Sequence, residues 1–212
     1  MKRCLILCAS DIGNTAVPED YSEDCFVICA DGGQRHLSKL RLKPDLIVGD
    51  FDSGSVPENA PCEVIRLPAE KDVTDAFFAA EEGLRRGCTD FLLLGATGGR
   101  LDHTIANLSL LWHLSEQGFS ARLLDEGNEA FILKEGKAVL KKGRYRYFSL
   151  FAYEREALGV TLGGARYPLV NARLRSTFPL GVSNEFCGKP ATVEVKDGVI
   201  VVTWQAENPI FY

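Results

Sequence analysis

Two acidic residues near the end of an apolar run have the types and spacing of a metal site. Asp50 and Asp52 lie two positions apart, so on an extended backbone both carboxylates point to the same side. Like charges about 4 Å apart repel by roughly 1 to 4 kcal/mol at effective dielectric constants of about 80 to 20, and a divalent cation turns that repulsion into binding. Mg²⁺ carried with a nucleotide suits such a pair, because it combines one or two carboxylates with phosphate oxygens and waters. A simple surface turn is the alternative, since Asp, Ser and Gly are common in turns.

A second acidic segment, with Asp72 and Asp75, precedes a run whose apolar residues recur at helical spacing. An Asp before a helix can cap it, and an Asp in the first turn complements the helix dipole, so both residues have a structural reading. In the company of Asp50 and Asp52, however, Asp75 would complete the metal shell. Asp72 remains a candidate cap.

A glycine-rich turn with phosphate-binding character follows the acidic segments. Gly98 and Gly99 let the backbone approach a ligand closely, and the helix that follows offers unpaired N–H groups and the positive end of its dipole. Arg100 could fork onto phosphate oxygens. The structural alternatives are an ordinary strand-to-helix turn, a dipole role for Asp102 and a partly exposed helix position for His103. The chain has neither a Gly-x-Ser-x-Gly elbow nor a Gly-x-x-x-x-Gly-Lys-Ser/Thr loop, which argues against a serine hydrolase of that type and an ordinary P-loop kinase.

Composition narrows the class of protein. The chain has 212 residues and 46% hydrophobic content, which is enough for one large domain or two of ordinary size. Its net charge of -5 argues against broad nucleic-acid binding. The 7 cysteines are an odd number without close C-x-x-C pairs, so we expect reduced thiols in a cytoplasmic protein rather than a zinc knuckle. No apolar segment approaches the roughly 20 residues of a membrane span, and the N-terminal apolar run reads as a buried strand.

Up to about Asp125, short apolar runs alternate with helical patterns, which is typical of a parallel sheet covered by helices. Three of the polar clusters fall just after expected strands, and the carboxyl ends of strands in such a sheet share one edge, where ligands bind. We therefore expect these clusters to converge. The expected strands are 3–9, 25–30, 46–48, 63–67, 91–94 and 121–124, and the expected helices are 34–40, 73–84 and 101–112.

Beyond Asp125 the pattern changes to short runs rich in Val, Tyr, Phe and Thr, separated by glycines. Asp197 and Gly198 stand between two β-prone arms, which predicts a hairpin. The sequence thus predicts an α/β parallel-sheet (Rossmann-like) N-terminal domain, residues 1–125, followed by a small all-β sandwich-like C-terminal domain, residues 126–212.

Five motifs together resemble the motif series of thiamine pyrophosphokinases. In order, they are Ala-Asp-Gly-Gly at 30–33, Pro-Asp-Leu-Ile-Val-Gly-Asp-Phe-Asp-Ser at 44–53, Lys-Asp-Val-Thr-Asp at 71–75, Gly-Ala-Thr-Gly-Gly-Arg-Leu-Asp-His at 95–103 and Val-Ser-Asn-Glu at 182–185. The resemblance spans nearly the whole chain. It implies Mg²⁺-dependent transfer of the β,γ-pyrophosphoryl unit of ATP to thiamine, releasing AMP and forming thiamine diphosphate. It also implies a homodimer with its active site at the subunit interface, and no nucleic-acid or membrane partner.

The resemblance assigns roles position by position. Asp50, Asp52 and Asp75 would be the catalytic and magnesium-binding acids. The residues that would hold ATP are Asp31, Gly32, Gly33, Thr97, Gly98, Gly99, Arg100, Asp102 and His103. Ser183 and Asn184 would meet the pyrimidine ring of thiamine. The resemblance leaves open the general base, the role of Lys71 and the aromatic partner of the thiamine rings.

Two other functions compete with this interpretation. Pterin pyrophosphokinases of archaeal type are similar in the first domain and differ in the acceptor. A non-catalytic binder or sensor of thiamine or nucleotide belongs to another class, and it would not need the full set of carboxylates.

Overall fold

A parallel sheet of six strands forms the first of two units in the computed structural model, which describes residues 1–22, 24–51, 60–70 and 72–206. This unit comprises Met1–Glu126. Its strands are β1 (Arg3–Leu7), β2 (Cys25–Ala30), β3 (Leu46–Gly49), β4 (Glu63–Arg66), β5 (Asp90–Leu94) and β6 (Ser120–Leu124). They lie in the order β6-β5-β1-β2-β3-β4, and every neighbouring pair is parallel. The carboxyl ends of the strands therefore meet along one edge, as β/α topology requires.

Helical segments connect these strands. They are 3-10 helices at Glu19–Tyr21 and Asp31–His36, the short α1 (Leu37–Leu40), α2 (Asp75–Arg85) and α3 (Leu101–Glu116). Thr74 starts α2, since its hydroxyl accepts a hydrogen bond from the Phe77 N–H at 3.2 Å and so caps the first turn. Among the described residues, no helix combines the length and apolar character needed to cross a membrane.

The second unit, Gly127–Tyr212, is antiparallel. Its strands are β7 (Asn128–Leu140), β8 (Tyr145–Ala152), β9 (Glu156–Gly163), β10 (Leu169–Arg175), β11 (Gly181–Glu185) and β12 (Ala191–Ala206). β12 pairs with β7 along its length, β10 pairs with β9, and β11 pairs with β8. The buried core of the unit includes Leu140, Phe148, Leu162 and Val202, which come from four of these strands.

The hairpin predicted around Gly198 is wrong, because β12 runs unbroken through this position. Its register with β7 shifts between Val195 and Val199, and Gly198 adopts a φ of +96°. The amino-terminal half of β12 pairs with β9, whereas its carboxyl-terminal half pairs with β8. The Asp-Gly pair therefore forms a bulge that bends one strand so that it can serve two sets of neighbours.

The fold class predicted from the sequence is also wrong. The protein is mostly β, with 45% strand and 20% helix, and its twelve described strands combine parallel and antiparallel pairing. It is not a helix-rich, Rossmann-like parallel domain with a small sandwich attached. The expected helices 73–84 and 101–112 are present as α2 and α3, but the expected helix 34–40 is a 3-10 helix followed by the four residues of α1. Only a short 3-10 helix is described between β1 and β2. Because so few residues in the connections are helical, strands make up most of the regular secondary structure.

Two adjacent glycines after β2 have different steric surroundings. A Cβ atom at Gly33 would lie 1.9 Å from the carbonyl oxygen of Leu7, so the 3-10 helix rests directly on the end of β1. A Cβ at Gly32 would have the methyl of Ala9 as its nearest neighbour, at 3.5 Å, which is ordinary contact. Only Gly33 is therefore required by packing.

We predict that Gly33→Ala lowers the free energy of unfolding by about 3 kcal/mol, at the upper end of overpacking costs, because backbone rather than a mobile side chain must shift. Gly32→Ala is the matched control and should change stability by less than about 1 kcal/mol. Urea denaturation followed by circular dichroism measures both. Equal midpoints for the two variants would contradict the close contact between Gly33 and β1.

Candidate active site

A cavity of about 840 Å³ lies at the carboxyl ends of β1, β2, β3 and β5. Its wall brings together three carboxylates that are far apart in sequence, those of Asp31, Asp50 and Asp75. It also includes Gly99, Arg100 and His103, from the glycine-rich turn and the first turn of α3. Five other residues predicted to hold ATP lie in the same segments but do not line the described cavity wall. They are Gly32, Gly33, Thr97, Gly98 and Asp102. Asp52 and Lys71 lie outside the described residues.

Asp31 and the residue that follows Asp50 adopt a backbone conformation that is rare for residues other than glycine. Asp31 has a φ of +48°, and Phe51, which follows Asp50, has a φ of +57°. Their strands are crowded together, since a Cβ at Gly49 would lie 3.1 Å from the Cα of Asp31. Such conformations cost about 1 to 3 kcal/mol each and cluster at ligand sites. The backbone at the ends of β2 and β3 is therefore strained where it borders the cavity, and this strain lowers local stability.

Asp75 occupies the first turn of α2, just after the capping residue Thr74. Its negative charge acts on Cys8, which lines the same cavity. Burial is the main cause that raises the pKa of the Cys8 thiol to about 12, and the charge of Asp75 acts in the same direction. Cys8 is therefore a neutral thiol at pH 7, unsuited to act as a nucleophile or as a metal ligand. The carboxylates are left as the chemically active groups on this side.

The glycine-rich turn is shaped for close approach of a ligand. Gly95 adopts a φ of +67°, and a Cβ there would lie 2.7 Å from the carbonyl oxygens of both Cys8 and Ser10. Gly98 and Gly99 have φ values of +83° and +61°, and no atom of the described residues beyond their chain neighbours lies within 4 Å of the Cβ positions. Arg100, at the N-cap of α3, makes no side-chain capping hydrogen bond. The start of α3 thus presents the positive end of its dipole to an anion, and the His103 N–H already donates to one carboxylate, that of Asp102, at 3.0 Å.

Arg100 and Asp102 form an exposed bidentate ion pair, with Nε–Oδ1 and Nη2–Oδ2 distances of 3.1 and 2.5 Å. The hydrogen bonds from the guanidinium are the main cause that lowers the pKa of Asp102. Exposed pairs of this kind add little stability and exchange readily for other partners. Arg100 can therefore turn to a phosphate, whereas Thr97 is engaged elsewhere, donating a hydrogen bond of 2.7 Å from its hydroxyl to Asp125.

The donor chemistry of the cavity suits Mg²⁺ held jointly with a nucleotide. Within residues 1–22, 24–51, 60–70 and 72–206, no group of three or more His, Cys, Asp and Glu side chains is assembled closely enough to bind a metal by itself. The expected trio of Asp50, Asp52 and Asp75 is not fully described, because Asp52 falls outside these ranges. Mg²⁺ usually takes only one or two carboxylates and completes its octahedron with phosphate and water. Asp50 and Asp75 on one wall fit that requirement.

Sequence reasoning missed two polar residues of the cavity wall, Ser10 and Asn107. The Ser10 hydroxyl donates to the carbonyl of Gly98 at 3.2 Å, and the Asn107 amide donates to the carbonyl of Ala96 at 2.7 Å. Both therefore fix the backbone of the glycine-rich turn. Asn107 carried a signal, since it lies one helical turn after His103 and is a polar residue on the buried side of α3. Ser10 carried none that a single sequence reveals.

The two residues assigned to thiamine differ in accessibility. Asn184 is 4% exposed, and its amide oxygen accepts hydrogen bonds from the N–H groups of Tyr167 at 3.1 Å and Glu185 at 2.9 Å. Its amide nitrogen donates to the carbonyl of Tyr167 at 2.7 Å. Ser183, in contrast, is exposed and has a φ of +56°. Asn184, in β11, therefore braces the loop between β9 and β10, whereas Ser183 is open to a ligand.

The brace holds an aromatic residue that the sequence did not identify. Tyr167 is 56% exposed, although Asn184 binds both its N–H and its C=O. The Arg166 guanidinium carbon lies 5.6 Å from the centre of the Tyr167 ring. A large exposed ring on a rigidly held backbone is suited to stacking on a flat ligand. The separation of 17 positions between Tyr167 and Asn184 hid this relation from sequence reasoning.

Two family models match the chain in succession. Residues 19–123 match the model described as "Thiamin pyrophosphokinase, catalytic domain", and residues 137–200 match "Thiamin pyrophosphokinase, vitamin B1 binding domain". The first match contains the cavity acids Asp31, Asp50 and Asp75, and the second contains Tyr167 and Ser183.

Curated and solved proteins agree with these matches. The thiamine pyrophosphokinase of Bacillus subtilis is 29% identical over 186 residues, which cover 85% of this chain and 87% of the relative. The crystal structure of the thiamine pyrophosphokinase from Bacillus subtilis matches with a TM-score of 0.85 at 26% identity, covering 97% of this chain and 100% of the other. A thiamin pyrophosphokinase family protein from Enterococcus faecalis matches with a TM-score of 0.85 at 29% identity, covering 98% and 100%.

We predict that Asn184→Ala destabilises the second unit by about 1 to 3 kcal/mol, because partly buried backbone groups of Tyr167 and Glu185 lose their partner. Ser183→Ala should change stability by less than about 0.5 kcal/mol, since an exposed hydroxyl is removed. Tryptophan fluorescence follows unfolding in urea, and a Trp112→Phe background leaves Trp204, in β12, as the reporter of this unit. Equal stability of the two variants would contradict the bracing role of Asn184.

Proposed function

The chain belongs to the thiamin pyrophosphokinase family, and we propose that it transfers the β,γ-pyrophosphoryl unit of ATP to the hydroxyethyl oxygen of thiamine. The products are AMP and thiamine diphosphate. The observation that carries this proposal is the cavity whose wall combines the carboxylates of Asp31, Asp50 and Asp75 with the glycine-rich turn at the start of α3. Carboxylates and a phosphate-binding turn on one wall are what a magnesium-nucleotide complex requires.

In this proposal each side of the cavity has a separate task. Asp50 and Asp75, with Asp52, hold the magnesium ion. The backbone of Gly98 and Gly99 and the amino-terminal end of α3 hold the phosphate chain, and Arg100 exchanges its exposed partner for a phosphate oxygen. Asp31, Gly32 and Gly33 form the nucleotide-facing edge after β2, and Thr97, Asp102 and His103 complete the turn.

The reaction breaks the bond between the β-phosphorus and the oxygen that bridges it to the α-phosphorus, and that oxygen leaves on AMP. The thiamine hydroxyl oxygen forms the new bond to the β-phosphorus, and its proton passes to a cavity carboxylate. Bound Mg²⁺ supplies charge neutralisation on the phosphate oxygens. The protein contributes positioning and preorganised charge, which are the main sources of catalysis in phosphoryl transfer.

The second unit supplies the acceptor side. We assign the pyrimidine of thiamine to the exposed Ser183 and stacking of its rings to Tyr167, with Asn184 as the residue that positions both. The match of residues 137–200 to a vitamin B1 binding domain supports thiamine over a pterin as the acceptor. The set of three carboxylates supports an enzyme over a non-catalytic sensor, which would not need them.

We further propose a cytoplasmic homodimer whose active site lies at the subunit interface, with residues 1–125 as the ATP- and metal-binding domain and 126–212 as the thiamine-binding domain. All seven cysteines are free thiols, which supports a reducing compartment. Exposed apolar residues in the second unit support a partner surface near the proposed thiamine residues. They are Val170, Phe178, Leu180 and Val182, exposed by 83, 63, 47 and 41%.

The purified protein, incubated with ATP, Mg²⁺ and thiamine, should form AMP and thiamine diphosphate in equal amounts, as measured by mass spectrometry. Asp50→Asn should reduce turnover by at least about 100-fold, because a neutral amide is a poor magnesium ligand. Its fold should be unchanged by circular dichroism.

Asp20→Asn is the matched control for Asp50→Asn. It makes the same chemical change at a surface residue that pairs with Arg122, and its turnover should match the wild type. Formation of AMP without thiamine, or of a pterin diphosphate in preference, would overturn the acceptor assignment. Wild-type turnover in Asp50→Asn would overturn the metal assignment.

A site shared between subunits predicts complementation between two variants. Asp50→Asn impairs the nucleotide side and Tyr167→Ala impairs the thiamine side, so each homodimer should be nearly inactive at subsaturating thiamine. Coexpression should restore about a quarter of wild-type activity, because half of randomly formed dimers are mixed and each has one intact site. Tagged heterodimers can be isolated for the assay, and an inactive heterodimer would place each site within one subunit.

A further inference from the structure

His36 is a buried imidazole next to the cavity that the proposed chemistry does not use. It ends the 3-10 helix Asp31–His36, is 6% exposed, and places its Nε2 atom 2.9 Å from the carbonyl oxygen of Ser10. Because a carbonyl only accepts hydrogen bonds, Nε2 must carry the proton and donate it. The imidazole thereby satisfies a polar backbone group in the loop that follows β1.

Ser10, the partner of His36, joins this loop to the glycine-rich turn. Its N–H donates to the carbonyl of Gly95 at 3.0 Å, and its hydroxyl donates to the carbonyl of Gly98 at 3.2 Å. Ser10 itself lines the cavity. Hydrogen bonds therefore run without a break from the 3-10 helix that begins at Asp31, through His36 and Ser10, to Gly98.

The ionisation of His36 favours a positioning role over a role as a charge. Burial is the main cause that lowers the pKa of its imidazole below the ordinary value, and the neighbouring charge of Arg35 acts in the same direction. The opposing influences come from hydrogen bonding to the backbone of Ser10 and Cys8 and from the carboxylate of Asp11. The imidazole is thus neutral at pH 7 and brings no positive charge to a phosphate.

We propose that His36 is a positioning residue for the nucleotide. Through Ser10 it fixes the separation between the two sides of the cavity that are to hold ATP, the strained backbone at Asp31 and the turn at Gly98. This inference rests on the proposed function. It assigns to His36 and Ser10 a role in nucleotide affinity that neither residue could perform by direct charge.

Two substitutions at His36 distinguish the effect of its hydrogen bond to Ser10 from the effect of its side-chain volume. His36→Leu keeps an apolar side chain of similar size and removes the donor, and it should weaken binding of ATP with Mg²⁺ about tenfold by titration calorimetry. The KM for ATP should rise by a similar factor, while the KM for thiamine stays within about twofold. His36→Gln, whose amide nitrogen can reach the Ser10 carbonyl, should keep ATP affinity within about threefold of the wild type.

His113→Leu is the matched control, because it removes a half-buried imidazole of α3 that binds Glu81 and Gln117 away from the cavity. It should leave ATP affinity unchanged. If His36→Leu does not fold, Ser10→Ala decides, since it removes only the hydroxyl bond to Gly98 and should also weaken ATP binding with thiamine KM unaffected.

Three results would overturn the role of His36. They are wild-type ATP affinity in folded His36→Leu or in Ser10→Ala, equal loss in His36→Gln and His36→Leu, or a parallel rise in both KM values. The wild type is measured in the same series. Failure of the wild type to bind ATP or to form AMP from thiamine would instead refute the proposed function, so the two failures are distinguishable.

Discussion

The site depends on close contact between backbones at the carboxyl ends of β1, β2 and β5. Gly33 brings the segment after β2 against the carbonyl of Leu7, and Gly95 brings the segment after β5 against the carbonyls of Cys8 and Ser10. Contacts this close leave no room for a side chain, so the relative positions of the three loops are set by main-chain atoms. Side chains that must bind a ligand can then be placed on loops without losing precision.

Charge is the second constraint on the cavity. Three carboxylates share a wall with Arg100, whose own partner is the exposed Asp102. A cation with its phosphate ligands, bound only by the folded state, would add to the stability of the protein. The positive φ of Asp31 and of Phe51 adds local strain at the same place. The cavity is thus built for a charged complex rather than for the stability of the protein alone.

How well the sequence predicted the structure depended on the range of the interactions involved. The six strands of the first unit lie close to their expected positions, because buried parallel strands produce continuous apolar runs that are visible locally. The helices expected at 73–84 and 101–112 are present as α2 and α3, whereas the expected helix 34–40 is largely a 3-10 helix. The hairpin at Gly198 was predicted wrongly, because an Asp-Gly pair suits both a hairpin and a bulge. Only the tertiary partners β8 and β9 decide between them. Asn184 illustrates the same limit, since its partner Tyr167 lies on a different segment.

The wrong fold class and the shared cavity wall of Asp31, Asp50 and Asp75 have different physical causes. The class of a domain depends on how much helix covers the sheet, whereas the place of a residue that directly follows a parallel strand depends on the strand itself. Neighbouring strands β2 and β3 are in register, with Ala30 opposite Val48, so the residues after them must emerge side by side whatever covers the sheet. Asp75 reaches the same cavity by another route, through a helix start fixed by the Thr74 cap. The ends of buried strands and the long helices α2 and α3 are local enough to read from a sequence. The helix cap is not, since the candidate was Asp72 and the capping residue is Thr74.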